Sequence, residues 1–153
     1  TDAARALAHM HAIGWIHRDV HPGNLVLHEG TWKLIDFGLS RLHEGGFRCP
    51  RQSHAVIRFA SVTQLENAVE QPADDWYSFG LVALSALHGK MPWQGMREPQ
   101  ILLRKTADPF SAFGNCATQK WLRQLAGNPP PNGETVAKIL NELSRIPCTC
   151  GAG

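Results

Sequence analysis

His17-Arg18-Asp19-Val20-His21-Pro22-Gly23-Asn24, followed seventeen residues beyond Asp19 by Asp36-Phe37-Gly38, is the stretch on which the reading of this chain turns. Between the two lie Leu25-Val26-Leu27 and Trp32-Lys33-Leu34-Ile35, short apolar runs on either side of Glu29-Gly30. Such runs around a Gly-containing turn predict a β-hairpin. A hairpin returns the chain on itself, so it brings Asp36 back to face Asn24. Upstream, Thr1 to Ile13 reads as a helix with Ala4, Leu7, Ala8 and His11 on one stripe, and Gly14 suits its exit. Trp15-Ile16-His17 then reads as a short apolar strand, and Arg18 to Asn24 as a polar loop.

Downstream, Asp36 to about Glu70 shows little periodicity, and a loop of that length is usually functional or mobile. Asp74 to His88 predicts a strong helix, with Asp74 and Asp75 at its positive end and Gly89 at its exit. Its body, Phe79 to Leu87, is apolar on every face, as a buried central helix would be. Pro92-Trp93-Gln94-Gly95 reads as a loop, and shorter helices follow near 99–105, 117–125 and 134–143. The expected fold is therefore mainly α: a helical bundle around a buried central helix, with a small β-hairpin at one edge.

The bulk numbers exclude more than they assign. At 153 residues the chain suits one domain, and 43% hydrophobic with 18% charged residues is ordinary for a soluble globular protein. A net charge of +2 argues for neither a nucleic-acid nor a membrane-surface partner. The longest apolar run, Phe79 to Leu87, is far short of the ~20 residues that a membrane span needs, and no signal peptide opens the chain. Cys49, Cys116, Cys148 and Cys150 form no Cys-x-x-Cys pair, so free thiols in a reducing compartment are expected, in the cytoplasm or nucleus. The helix that begins at Thr1 has nothing before it to cover its buried side, which predicts an excerpt of a longer chain.

Asp19, the Asn24 amide and Asp36 form a set of hard oxygen donors. Magnesium takes one or two such side chains and completes its shell with water and phosphate oxygens. A carboxylate that accepts a hydroxyl proton beside such an ion is what phosphoryl transfer asks of a protein. Each motif alone is weak; the joint spacing, the hairpin and the Leu7-x-x-x-His11-x-x-Gly14 helix carry the weight. Together they resemble the catalytic and metal-binding loops of eukaryotic protein kinases.

That resemblance implies a kinase C-terminal lobe over 1–147, lacking its N-terminal lobe, and a tail over 148–153. With the missing lobe included, the class would be α+β. It implies Asp19 as catalytic base, with His21 where Ser/Thr kinases hold a Lys toward the transferring group. Asn24 and Asp36 would bind Mg2+ and, through it, ATP. His17, Arg18, Phe37, Gly38 and Asp75 would give structural support, Arg18 by pairing with an activation-loop phosphate and Asp75 by bracing the catalytic loop, capping its own helix, or both. The implied activity is transfer of the ATP γ-phosphoryl group to Ser or Thr of a protein substrate. No Gly-x-Gly-x-x-Gly is present, nor a Val-Ala-x-Lys strand, so the fragment alone is expected to be inactive.

Arg58-Phe59-Ala60-Ser61, Pro92-Trp93-Gln94-Gly95 and Arg48-Cys49-Pro50-Arg51 are similar to the casein kinase 1 and tau-tubulin kinase group. Two positions depart from the kinase pattern: His21 replaces a Lys, and Val56 replaces a Thr that would hydrogen-bond Asp19. They keep open a pseudokinase or protein-interaction module. Asp19-x-His21-Pro22-x-Asn24 also resembles aminoglycoside phosphotransferases, which keeps open a small-molecule kinase.

Overall fold

The computed structural model describes residues 2–43, 56–66, 68–114, 116–127, 133–143 and 145. The expectations placed on Cys49, Cys148, Cys150, Arg48–Arg51 and the 148–153 tail lie outside them. Helix α1 (Asp2–Ala12) turns Ala3, Ala4, Leu7 and Met10 inward, and Gly14 closes it with φ +83°, a conformation that only glycine adopts without cost. The small Ala3 and Ala4 let α1 lie close against the ribbon and the central helix.

That central helix is α3 (Pro72–His88), with Pro72 at its first turn and Gly89 leaving it at φ +60°. From Asp74 through Leu81 every residue is buried, and Leu84 is too. Gly80 explains the close approach of α5 (Cys116–Leu125): a Cβ there would collide with Leu122 and lie 3.2 Å from Leu125 Cδ2. Helix α6 (Gly133–Leu143) closes over α5, and buried Trp121 donates its indole N–H to the Ile139 carbonyl at 2.6 Å. Burial all round fails in the second half of α3. Val82, Ala83 and Leu87 are half-buried there and line an apolar groove of about 390 Å³ with Leu25 and Leu140.

The expected hairpin is present as β2 (Leu25–His28) and β3 (Thr31–Leu34), with Leu25 opposite Leu34 and His28 opposite Thr31. Glu29 and Gly30 form its two-residue turn, both with positive φ, the geometry that matches strand twist. Val26, Leu27 and Trp32 on this ribbon, with Ile35 just beyond it, are exposed.

The stretch expected to be one long loop holds two further elements. Strand β4 (Arg41–Leu42) pairs antiparallel with β1 (Trp15–Ile16), and α2 (Val62–Leu65) is a single helical turn. Ser61 and Gln64 cap α2 reciprocally, Ser61 Oγ accepting from Gln64 N at 3.1 Å and Gln64 Oε1 from Ser61 N at 2.9 Å. A fourth bundle helix, α4 (Glu98–Ala107), follows the Pro92–Gly95 turn. Among the described residues no helix is long and apolar enough to cross a membrane.

Candidate active site

The loop between β1 and β2 is held from below by one carboxylate. Asp75, in the first turn of α3 and almost fully buried, accepts from His17 N at 2.7 Å, Arg18 N at 2.8 Å and His11 Nε2 at 2.8 Å. Buried backbone donors need partners, and Asp75 supplies two at once. Helix capping falls instead to its neighbour: Asp74 accepts from Gln71 N at 2.7 Å, and burial pushes the Asp74 carboxyl above its usual range. Of the two roles open to Asp75, the structure shows the brace.

Arg18 sits at φ +74°, a left-handed conformation that costs a non-glycine residue about 1–2 kcal/mol. Its surroundings hold it there. Besides the Asp75 contact, its carbonyl accepts from Gln64 Nε2 at 2.9 Å and its Nη1 donates to the Leu39 carbonyl at 2.9 Å. The guanidinium also meets Glu70 through two bonds, Nε to Oε2 at 2.9 Å and Nη2 to Oε1 at 2.8 Å. The bidentate partner among the described residues is thus a carboxylate of the same chain, where the resemblance implied a phosphate. A guanidinium fork fits either planar anion.

His17 is fully buried. Its Nδ1 accepts from Asp19 N at 3.3 Å and its Nε2 faces the Ile35 carbonyl at 3.2 Å, which fixes Nε2 as the protonated nitrogen. Burial lowers its pKa, and Phe37 stacks edge-on at 5.2 Å. This imidazole therefore ties the start of the loop to the end of the ribbon.

Asp19 Oδ2 accepts from Asn24 Nδ2 at 3.0 Å, and the same amide nitrogen donates to the Asp19 carbonyl at 2.9 Å. Both bonds use the nitrogen, so Asn24 presents its oxygen. Ile35 N donates to the Asn24 carbonyl at 2.9 Å, extending the ribbon by one rung and setting Asp36 beside the loop. Asp36 adopts φ +62° and its Oδ1 accepts from Gly38 N at 3.1 Å. A Cβ on Gly38 would press against that oxygen at 3.1 Å, which is reason enough for glycine there. Two oxygen donors, one amide and one carboxylate, fit Mg2+ with phosphate oxygens and water as its other ligands. Among the described residues no cluster of three or more His, Cys, Asp or Glu forms a closed metal cage.

His21 turns toward Asp19. Its Nδ1 accepts from Gly23 N at 3.1 Å, which leaves Nε2 as the donor, 3.6 Å from Asp19 Oδ2. Gly23 makes room for the ring, since a Cβ there would lie 2.8 Å from His21 Cε1. Across a narrow gap stand Val56, Phe59 and Ala60; valine offers Asp19 no donor. The structure therefore brings Asp19, His21, Asn24 and Asp36 together, with His17, Arg18, Phe37, Gly38 and Asp75 in contact around them.

The sequence reading passed over Gln64 and Glu70. Ser61-x-x-Gln64 is a capping-box signature that marks Gln64. Nothing in the spacing marks Glu70, which reaches Arg18 across 52 residues.

The family model for the protein kinase domain matches residues 1–143. The chain belongs to that family. Curated relatives of this kinase domain include mouse (Mus musculus) ribosomal protein S6 kinase alpha-2, 31% identical over 134 residues, and human (Homo sapiens) ribosomal protein S6 kinase alpha-3, 30% identical over the same length. The chicken (Gallus gallus) ribosomal protein S6 kinase 2 alpha is 29% identical. Each alignment covers 86% of this kinase domain chain but 18% of the relative, so the chain spans about a fifth of their length. These relatives are S6 kinases, and the casein kinase 1 resemblance rests on its own motifs.

Proposed function

We propose that the protein carrying this domain is a serine/threonine kinase that transfers the ATP γ-phosphoryl group to a hydroxyl of a protein substrate. One observation carries the reading: Asp19, Asn24 and the residue before Asp36 form a single hydrogen-bonded unit. In it Asp19 is the base, within reach of an incoming hydroxyl and held in orientation by the Asn24 amide. Asn24 and Asp36 would hold Mg2+, which when bound offsets the charge on the phosphates. His21 Nε2–H lies beside Asp19 and is placed to donate to an anionic oxygen above it. The S6 kinase relatives, by name, support a protein substrate over a small alcohol.

The finer casein kinase 1 grouping draws support from one contact. Arg58 donates to the carbonyls of Pro92 at 2.6 Å, Trp93 at 3.0 Å and Met96 at 2.8 Å, so the two described motifs behind that resemblance form one unit. The reading places the protein in the cytoplasm or nucleus.

A second reading, a pseudokinase, is favoured by Val56, which leaves Asp19 without a hydroxyl partner from the opposite wall. Assay of the full-length protein separates the two. Asp19→Asn keeps the shape of the base and removes its proton acceptance, so kcat should fall by about 10²–10⁴-fold while Mg2+-dependent ATP binding persists. A parent protein that binds ATP but shows no turnover supports the pseudokinase; an Asp19→Asn variant as active as its parent rules out Asp19 as base.

A further inference from the structure

Lys105 is the one charged side chain of α4 that faces the core, and its residue is fully buried. Its Nζ donates to three backbone carbonyls of one turn: Ile57 at 2.6 Å, Ala60 at 2.6 Å and Arg58 at 3.1 Å. The Trp93 ring lies 4.8 Å from it and the Tyr77 ring 5.7 Å. No carboxylate is among its partners in the described residues. The turn it grips is the wall that confronts the catalytic loop: Val56, Phe59 and Ala60 face Asp19 and His21 across the narrow gap.

We infer that Lys105 is a positioning residue, which holds the Ile57–Ala60 turn at its set distance from Asp19, and that uptake of a proton at Nζ releases the turn. The argument starts from geometry. A buried ammonium without a counter-ion is disfavoured relative to the neutral amine, and carbonyl dipoles and ring faces offset only part of that cost. The neutral amine keeps two N–H donors, enough for the two nearest carbonyls, Ile57 and Ala60. Burial accordingly pushes the Lys105 pKa from 10.5 down to about 7. When the turn swings away, Nζ meets water and regains its ordinary basicity, so opening takes up a proton.

The sign follows. The closed form binds fewer protons than the open one between about pH 7 and 10.5, so acidification across that window favours opening. With those two values the opening constant rises by about 50-fold from pH 9 to pH 7 and levels off below. The other groups around Nζ have fixed roles. The Tyr77 phenol donates to the Pro109 carbonyl at 2.6 Å and burial raises its pKa, so it stays neutral. Arg58 carries a permanent charge and spends it on the Pro92, Trp93 and Met96 carbonyls. Arg104, on the same helix, is exposed, and Asp108, just beyond the helix, pairs with Arg123 at 3.3 Å at the surface.

Amide exchange of residues 57–61 in the full-length protein tests this, corrected for intrinsic rates and referred to the α5 amides. The turn should open about 50-fold more readily at pH 7 than at pH 9. Lys105→Met, similar in length and uncharged, should abolish that dependence. A flat or inverted parent profile, or a Met variant that keeps the dependence, overturns the inference. The parent profile needs no variant, so a Met protein that fails to fold leaves the test intact. The positioning role rests on the phosphoryl-transfer reading and is tested separately. KM for the protein substrate should rise from pH 9 to pH 7 in the parent more than in the Met variant, with KM for ATP moving equally in both. A substrate KM that ignores the opening overturns that role. Absence of any turnover would strike the functional reading and leave the exchange result standing.

Discussion

Replacing Asp75 by Asn should release the catalytic loop while leaving most of the fold in place. The carboxylate accepts three hydrogen bonds, from His17 N, Arg18 N and His11 Nε2, at 2.7–2.8 Å. An Asn keeps one oxygen; its amide nitrogen would confront a backbone N–H with another donor. Losing a hydrogen bond to a charged acceptor costs about 1.5–3 kcal/mol, and a stranded buried donor about 1–3 kcal/mol. Together the change should cost about 3–5 kcal/mol, a large part of the 5–15 kcal/mol that holds a typical domain folded. The cost falls first on the loop, because Arg18 already sits in a strained backbone conformation that Asp75 helps to hold. Exchange of the His17 and Arg18 amides should accelerate by about 10²–10⁴-fold, at 1.4 kcal/mol per decade. Asp74→Asn, which weakens only the Gln71 cap, should leave the same amides close to parental rates. If Asp75→Asn left both amides within tenfold of the parent, the brace would be refuted.

Gly80→Ala should lower the melting temperature although alanine favours helix by about 1 kcal/mol, because overpacking against Leu122 costs about 1–3 kcal/mol. Shortening Leu122 to Ala in that background should then cost less than it does in the parent, and a higher melting point for Gly80→Ala alone would count against the close packing of α3 on α5. Gly23→Ala should displace the His21 ring, so its effect on kcat should match that of His21→Ala, and the double variant should be no worse than either. Additive losses would show that the two residues act apart.

Much of this architecture is legible from residue order because it rests on local chemistry. The hairpin follows from two apolar runs around Glu29-Gly30, and its register then puts Asp36 beside Asn24 without further information. Helix α3 is legible from its acidic start and Gly89 exit. Its burial is not: Val82 and Leu87 look like core in the sequence, but only neighbouring elements decide whether a side of a helix is covered. Strand β4 is two residues long, below what any alternation can reveal. Glu70 and Lys105 escaped for a shared reason. Their roles depend on contacts across 52 and more than 40 residues, and a lone charge in a sequence reads as surface until its partners are known.

The ribbon that carries Asp36 is tolerant of length and intolerant of parity. Asn24 and Ile35 face each other across its base, and the Glu29-Gly30 turn lies four residues out along each strand. Adding one residue to both strands lengthens the ribbon at its exposed tip and returns the metal-facing carboxylate to its place. Adding one residue to a single strand either raises a bulge or turns every later side chain to the opposite face, Asp36 included. Natural or engineered variation in this segment should therefore come in balanced pairs or be confined to the turn, and an epitope spliced between Glu29 and Gly30 is the insertion that catalytic geometry would notice least.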